Sequence, residues 1–209
     1  FETAGAELGP EVVARLLDLP GVTHLAEMMN VPGVLGHDPS VQAKLDAAHR
    51  RGLPIDGHAP GLGGDAMRAY AAAGITTDHE CLTFEEAREK LKAGIKLQVR
   101  YGSAARRFEP FLPLLPRFPE LCMLCSDDKH PDDLLRDHIN FIAATAFRQG
   151  LALQTILQAA CVNPVRHYRL PLGLLQPGDS ADFQIVDDLR TFQPREVWLH
   201  GQCVARGGV

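Results

Sequence analysis

Short apolar runs alternate with amphipathic segments along this chain from Gly21 to Gly150, and most of the amphipathic segments stop at a glycine. The apolar runs have the length and composition of strands, whereas the amphipathic segments have the period of helices. Strand and helix units of roughly 20 to 30 residues imply parallel strands joined by right-handed crossovers. We therefore predict an α/β fold built on a parallel sheet.

Five strands are predicted in this region, at residues 22–28, 53–56, 75–78, 95–99 and 121–126. Helices are predicted at residues 9–19, 38–51, 66–73, 83–94, 131–149 and 153–168. Local signals mark several helix ends: Thr83 and Glu86 form a capping box, and Gly52 and Gly74 are helix stops.

Two folds consist of such units, the doubly wound sheet and the (β/α)8 barrel. Glycines 61, 63 and 64 follow the second predicted strand, but they come after His58-Ala59-Pro60 and lack the spacing of a dinucleotide-binding loop. The absence of that loop favours the barrel.

The pattern changes after Tyr168, where helical periodicity gives way to polar turns. Two short strands joined by a polar turn are predicted there, the first at residues 184–186 and the second from residue 196 to residue 204. They fit a small β-domain beside the barrel. We therefore predict a barrel domain at residues 1–170 and a β-domain at residues 171–209.

The chain has 209 residues, a formal net charge of −5 and no block of lysine or arginine. This charge provides no attraction to nucleic acid or to an anionic membrane, so neither is expected as a partner. No apolar run approaches the ~18 residues of a membrane-spanning helix, and the N-terminus has no secretory signal pattern. A cytoplasmic protein that acts on a small molecule is expected.

The five cysteines are an odd number without the spacing of a disulfide framework, so reduced thiols are expected. Cys122 and Cys125 form a C-x-x-C motif, but they lie in a predicted strand, where residues three apart face opposite sides. Two packing thiols are therefore favoured over a zinc or redox pair.

Residues that bind metals or transfer protons stand at the carboxyl ends of the predicted strands. They are Glu27, His58, His79, Glu80, Arg100, Asp127 and Asp128. In a parallel barrel the carboxyl ends of all strands lie on one face, where catalytic groups gather. A mixture of imidazole and carboxylate suits zinc, iron or manganese. The pattern therefore predicts one shared metal site.

Each of these residues also has a purely structural interpretation when it is taken alone. His58 fits a turn rich in glycine and proline, Glu27 fits a solvated strand end, and Asp127 fits the N-cap of the next helix. Arg100 fits an ion pair with any nearby acid. The order Glu, His, His, Asp at consecutive strand ends favours the shared site over these separate interpretations.

Five blocks of the sequence resemble the bacterial adenine deaminases of the amidohydrolase superfamily. The blocks are Glu27 to Val34, Asp56 to Leu62, Thr77 to Glu80, Arg100 to Ala105 and Asp127 to Leu134. The similarity extends over essentially the whole chain, including Asn163-Pro164, Pro177-Gly178 and Ala181-Asp182. The resemblance implies a metal-dependent (β/α)8 barrel flanked by a β-sandwich, and the hydrolysis of adenine to hypoxanthine and ammonia.

The resemblance also implies a binuclear divalent metal centre, with Mn²⁺ or Fe²⁺ expected and Zn²⁺ as the alternative. Glu27 would bridge the two metals, His58 and His79 would bind one of them, and Asp127 would bind the other. Paired metals lower the pKa of a water molecule, which then attacks the purine carbon that bears the amino group.

The catalytic roles implied by the resemblance fall on two carboxylates. Asp127 would take the proton of the attacking water and pass it to ammonia, and Glu80 would protonate the ring nitrogen, which makes the neighbouring carbon electrophilic. Arg100, Ser103 and Asp128 are expected to lie in the substrate pocket.

The sequence departs from the family at two points. Tyr101 stands where the family usually has an acid, so the role of this position is open. The His-x-His pair of the first barrel strand is absent, since no two histidines here are separated by one residue. We therefore expect an internal segment that holds barrel strands 4–8 and lacks full metal binding and activity by itself.

Two unpaired sheet edges in such a segment favour association with the missing barrel portion or a homo-oligomer. Within enzymes, the alternative is another cyclic amide or amidine hydrolase of the same superfamily. Outside enzymes, the alternatives are a non-catalytic scaffold and one chain of a complementing assembly.

Overall fold

The computed structural model describes residues 5–208. The chain divides into two compact units, Phe1–Gln98 and Val99–Val209, and each is described by itself. Within the described residues, every helix is too short or too polar to cross a membrane. The predicted boundary between a barrel domain and a β-domain at residue 170 stays a prediction.

The first unit alternates strands and helices. Its strands are β1 (Leu25–Met28), β2 (Ile55–Gly57), β3 (Thr77–Asp78) and the first part of β4 (Lys96–Arg100). Its helices are α1 (Pro10–Leu16), α2 (Val31–Leu35), α3 (Pro39–Arg50), α4 (Gly64–Ala72) and α5 (Phe84–Lys92). β1 pairs with β2 in parallel, β3 pairs with β4 in parallel, and a parallel bridge joins Ile55 to Ile75. The predicted α/β class with parallel strands is confirmed for this unit.

The pairing of β1 with β2 is irregular between Leu25 and Met28. Leu25 lies opposite Ile55 and Met28 lies opposite Gly57, so three steps along β1 match two steps along β2. One extra residue therefore bulges from β1 between Leu25 and Met28. A bulge of this kind interrupts the ladder and re-aims a side chain.

Local signals explain the start and end of α3. The Asp38 carboxylate accepts hydrogen bonds from the amides of Ser40, at 2.9 Å, and Val41, at 3.0 Å, so two amides of the first turn are satisfied. Gly52, just beyond the last turn, has a φ of 63°, which a residue with a side chain adopts only at a cost.

Replacing Asp38 by alanine (D38A) is expected to lower the free energy of unfolding by about 1 kcal/mol, because the capping hydrogen bonds are lost. Urea denaturation followed by circular dichroism measures the change. The control is Asp46→Ala, which removes the same charge from an exposed mid-helix position of α3. Equal stabilities of the two variants would contradict the capping role.

The core of the first unit lies between the parallel strands and their helices. Leu45 and Ala48 of α3, Ile55 of β2, Tyr70 of α4 and Ile75 are each 2% exposed or less. These side chains lie on the apolar faces of the helices and strands. The periodic spacing of these apolar residues is the pattern from which the elements were predicted. The carboxyl ends of the strands are thereby held by a packed interior.

The second unit begins within β4. It contains β5 (Cys122–Cys125), α6 (Pro131–Leu134), α7 (Ile139–Arg148), α8 (Leu153–Leu157), α9 (Asn163–Tyr168), β6 (Phe183–Val186), β7 (Pro194–Leu199) and β8 (Gln202–Arg206). A 3-10 helix covers Glu109–Leu114, and a π-helical stretch, Gln158–Val162, connects α8 to α9. The amide of Tyr101 donates to the carbonyl of Cys125 at 3.1 Å, beside the end of β4.

Two predicted elements differ from the structure in this unit. The helix predicted at 131–149 is split into α6 and α7, and Asn140 Oδ1 accepts from the His138 amide at 2.7 Å at the start of α7. The second strand predicted in the β-domain is a hairpin of β7 and β8, since His200 and Gly201 both have positive φ, as in a two-residue hairpin turn. The β-domain region therefore contains a three-stranded antiparallel sheet.

The C-x-x-C motif lies on β5. Cys122 is fully buried and Cys125 is partly exposed. Burial raises the pKa of the Cys122 thiol to about 12, so this thiol stays protonated at neutral pH. The structure thus gives Cys122 the environment of a packing residue.

Candidate metal centre

Three side chains from three strand ends meet in the first unit. Glu27 lies on β1 within the bulged stretch, His58 directly follows β2, and His79 directly follows β3. Parallel pairing brings the carboxyl ends of these strands to one edge, as the strand-end pattern predicted. The ligand atoms of Glu27, His58 and His79 all lie within 4.8 Å of one another.

The Glu27 carboxylate lies between the two imidazoles. Its Oε1 is 3.4 Å from His58 Nδ1, and its Oε2 is 3.0 Å from His79 Nε2. The rings are nearly perpendicular, at 79°, with centroids 5.2 Å apart. Ligands that each lie about 2.1 Å from one metal are separated by roughly 3 to 4 Å, so these distances fit a common cation.

The buried Nδ1 atom of His58 makes no hydrogen bond to any residue that the structure describes. Buried polar atoms are nearly always paired, and an exception requires an explanation such as an ion. In the tautomer that carries its hydrogen on Nε2, this nitrogen has a lone pair available for a cation. The donor set of two imidazoles and one carboxylate therefore fits a divalent transition metal.

Glu80 flanks the three ligand residues. Its Oε1 is 3.8 Å from His58 Nδ1 and 3.8 Å from His79 Nε2, distances that are too long for direct hydrogen bonds. The Glu80 side chain is only 13% exposed. Its carboxylate is thus held beside the candidate metal ligands, and its catalytic role stays a prediction.

A buried ionic network supports the turn that carries His58. The Lys90 ammonium donates to the carbonyl of Ala59 at 2.6 Å, to Asp78 Oδ2 at 2.8 Å and to Glu86 Oε1 at 2.6 Å. Asp78 also accepts from the Ala59 amide at 2.9 Å, and Glu86 accepts from the Gly61 amide at 2.8 Å. The network thus forms hydrogen bonds with Ala59 and Gly61, which lie on the two sides of the turn after His58.

The opposite charges in this network keep Asp78 and Lys90 ionised despite their burial. Burial opposes ionisation of Asp78, but the charge and hydrogen bond of Lys90 outweigh burial and lower the pKa of the Asp78 carboxyl. Burial likewise disfavours the Lys90 ammonium, and the charge of Asp78 is the main effect that raises the pKa of Lys90 in spite of it. The sequence reasoning did not identify Lys90 or Asp78 as part of the site's support.

The other predicted site residues lie in the second unit. Arg100, the last residue of β4, donates to a carboxylate oxygen of Asp127, which follows β5. Asp127 has a φ of 58°, a left-handed conformation that aspartate tolerates better than most residues. Arg100 thus forms an ion pair with a nearby acid, which is the structural alternative given for it above. Substrate binding by Arg100 and metal binding by Asp127 stay predictions.

Ser103 and Asp128 join two loops of the second unit. The Ser103 hydroxyl donates to Asp133 at 2.6 Å and accepts from the His130 amide at 2.8 Å, and the Ser103 amide donates to the Asp128 carbonyl at 2.8 Å. The hydrogen bond from Ser103 is the main effect that lowers the pKa of the Asp133 carboxyl. Contact of Ser103 and Asp128 with a substrate stays a prediction.

Tyr101, whose role was open, is packed among aromatic side chains of the second unit. Its ring stacks on Phe141 at a centroid distance of 4.6 Å and meets the Phe108 ring edge-on at 5.5 Å. The Lys129 ammonium lies 4.4 Å from the centre of the Tyr101 ring. The structure therefore gives this position a packing role.

Comparison with known sequences identifies the family of this chain. Residues 10–204 match the profile of the Amidohydrolase family. The chain is 51% identical over 208 residues to an adenine deaminase of Salinibacter ruber, 49% identical over 207 residues to one of Sulfurovum sp., and 46% identical over 209 residues to one of Methanosarcina mazei. These alignments cover 99 to 100% of this chain but only 38 to 39% of the relatives. The resemblance predicted from the five sequence blocks is confirmed.

Solved structures share the fold at low sequence identity. A β-aspartyl dipeptidase of Fervidobacterium islandicum AW-1 matches 95% of this chain with a TM-score of 0.72 and 17% identity, and the match covers 60% of that protein. An N-acetyl-D-glucosamine-6-phosphate deacetylase of Mycobacterium smegmatis matches 96% of this chain with a TM-score of 0.66 and 19% identity, covering 60% of that protein. At these identities the likeness concerns the fold alone.

Proposed function

The chain belongs to the amidohydrolase family, and on that basis we propose that it is part of a metal-dependent hydrolase that converts adenine to hypoxanthine and ammonia. The observation that carries the proposal is the meeting of Glu27, His58 and His79 at three parallel strand ends. The identity of up to 51% to adenine deaminases supports adenine as the substrate.

We assign β1 to β5 to positions 4–8 of a (β/α)8 barrel, with the barrel domain at residues 1–170 and the β-domain at residues 171–209. The sequential parallel pairing in the first unit and the antiparallel sheet of β6, β7 and β8 support this assignment. In this proposal the protein is cytoplasmic, and it either forms a homo-oligomer or associates with the missing barrel portion, which belongs to a longer polypeptide or to a partner chain.

The amidohydrolase family implies a divalent metal. We propose a binuclear centre of Mn²⁺ or Fe²⁺, with Zn²⁺ as the alternative, in which Glu27 would be shared by both ions, His58 and His79 would hold one, and Asp127 would hold the other. The position of the Glu27 carboxylate between two imidazoles supports its role as a ligand of the ion that His58 and His79 would hold. Such ions, when bound, make a water molecule nucleophilic near neutral pH.

The proposed reaction consumes one water molecule. A C–O bond forms at the purine carbon that bears the amino group, and the C–N bond to that group breaks with release of ammonia. Glu80 donates a proton to the adjacent ring nitrogen, which makes the carbon electrophilic, and Asp127 transfers one proton of the water to the departing amino group. The second proton of the water restores the Glu80 carboxylic acid. Arg100, Ser103 and Asp128 contact the substrate in this proposal.

A chimaeric enzyme tests the proposal. The 208 aligned residues of the Salinibacter ruber adenine deaminase are replaced by this chain, and ammonia release is measured with adenine and with a panel of other amino-substituted purines and pyrimidines. We expect adenine to be the preferred substrate, because this chain supplies the proposed metal ligands and the proposed proton donor.

The unmodified Salinibacter enzyme is the positive control, and the metal content of both proteins is measured. A chimaera that holds the same metal as the control but deaminates another compound in preference to adenine would contradict the proposed substrate. A folded chimaera without bound metal would contradict the proposed metal centre.

A further inference from the structure

Tyr70 connects two of the strand ends that carry metal ligands. Tyr70 lies on α4, is fully buried, and belongs to the core of the first unit. Its hydroxyl donates to the carbonyl of Met28 and accepts from the amide of His58 at 3.2 Å. One hydroxyl therefore links the residue after Glu27 to the backbone of His58.

The bulge in β1 explains why such a link is needed. Between Leu25 and Met28 the ladder is interrupted, so regular strand pairing does not determine where Glu27 lies relative to β2. The hydrogen bond from Tyr70 to Met28 holds the chain on the far side of this interruption. The His58 amide donates to the same hydroxyl, so one oxygen atom holds the backbone beside both proposed ligands.

The packing around the hydroxyl requires a glycine at position 57. A Cβ atom on Gly57 would lie 3.0 Å from the Tyr70 hydroxyl oxygen and 2.5 Å from the Thr77 carbonyl oxygen. These approaches are too close for a side chain, so Gly57 lets the strand end come near Tyr70. Burial raises the pKa of Tyr70 well above its usual value, so the phenol keeps the hydrogen that it donates.

We propose that Tyr70 is a positioning residue of the metal centre, whose hydroxyl sets the separation of the Glu27 and His58 ligands. Tyr70 touches neither the metal-binding atoms nor a substrate, and it acts through the backbone of Met28 and His58. The proposal rests on the metal centre proposed above and does not depend on adenine as the substrate. Groups that orient metal ligands typically contribute tenfold to a hundredfold to metal affinity.

The test is Tyr70→Phe, which keeps the ring and removes the hydroxyl. Co²⁺ binding to the chimaeric enzyme that carries this chain is measured, after removal of its metal, by competition with a chelating dye, and the visible spectrum of bound Co²⁺ reports the coordination geometry. We expect Tyr70→Phe to bind Co²⁺ about tenfold to a hundredfold more weakly than the unchanged chain, with an altered spectrum.

Val41→Ala is the control for a merely structural effect, because it removes buried volume from α3 in the same core without touching a ligand-bearing backbone. Val41→Ala is expected to lower the free energy of unfolding and to leave both the Co²⁺ affinity and the visible spectrum of bound Co²⁺ unchanged. A Tyr70→Phe variant that binds Co²⁺ within twofold of the unchanged chain overturns the positioning role. A chimaera with the unchanged chain that folds but binds no Co²⁺ overturns the metal centre and the positioning role together.

Discussion

Replacement of Lys90 by methionine (K90M) is expected to lower the free energy of unfolding by about 3 to 5 kcal/mol, the range found when one member of a buried ion pair is removed. The Lys90 side chain is 2% exposed, and its ammonium has three acceptors at 2.6 to 2.8 Å. Methionine has a similar length but no charge. The Asp78 carboxylate, which is 1% exposed, would therefore remain buried without its counterion.

Urea denaturation of K90M measures this effect, and Lys92→Met is the matched control. Lys92 lies two residues further along the same helix and is exposed, so the same chemical change there is expected to stay within about 0.5 kcal/mol. The double variant Lys90→Met with Asp78→Asn is expected to be more stable than K90M, because it removes the unpaired charge. A K90M protein as stable as Lys92→Met would contradict the role of the network.

Replacement of Glu27 by glutamine (E27Q) is expected to weaken divalent metal binding by more than about a hundredfold, beyond the effect typical of residues that only orient a ligand. Glutamine preserves the shape of the side chain but removes the negative charge that lies between His58 and His79. The loss also removes metal-dependent stabilisation, which is about 2.7 kcal/mol at a metal concentration of 100 times the dissociation constant.

Metal titration of the chimaeric enzyme with E27Q measures the affinity, and thermal unfolding with and without metal measures the stabilisation. The control is Glu85→Gln, which makes the same change at an exposed position in the first turn of α5. An E27Q variant with a native circular dichroism spectrum and unchanged metal affinity would show that the two imidazoles bind without this carboxylate. In that case Glu27 would not be a ligand.

Much of the first unit could be predicted from the sequence because its signals are local. The Asp38 and Thr83 caps, the glycine stops and the apolar periods each act within one helix or strand, and the structure places α3 and α5 close to the predicted ranges. The strand-end positions of Glu27, His58 and His79 also followed from the alternating pattern, because parallel strands bring their carboxyl ends together.

The supporting residues could not be predicted, because their roles depend on contacts distant in the sequence. Lys90 and Lys92 look alike as basic residues at the end of α5, and only the approach of Ala59 and Asp78 distinguishes them. Tyr70 has the periodicity of an ordinary core residue of α4, while its hydroxyl reaches Met28, 42 residues away in the sequence. No local pattern carries that information.

The sequence alone determined the α/β class and the family resemblance and predicted a set of metal ligands, since these depend on residue type and short-range spacing. Only the tertiary structure decided how the ligands are held: the bulge that carries Glu27, the hydroxyl of Tyr70 and the buried charge of Lys90. The reason is physical. The direction of a ligand atom is set by packing and hydrogen bonds between segments that meet only after the chain has folded.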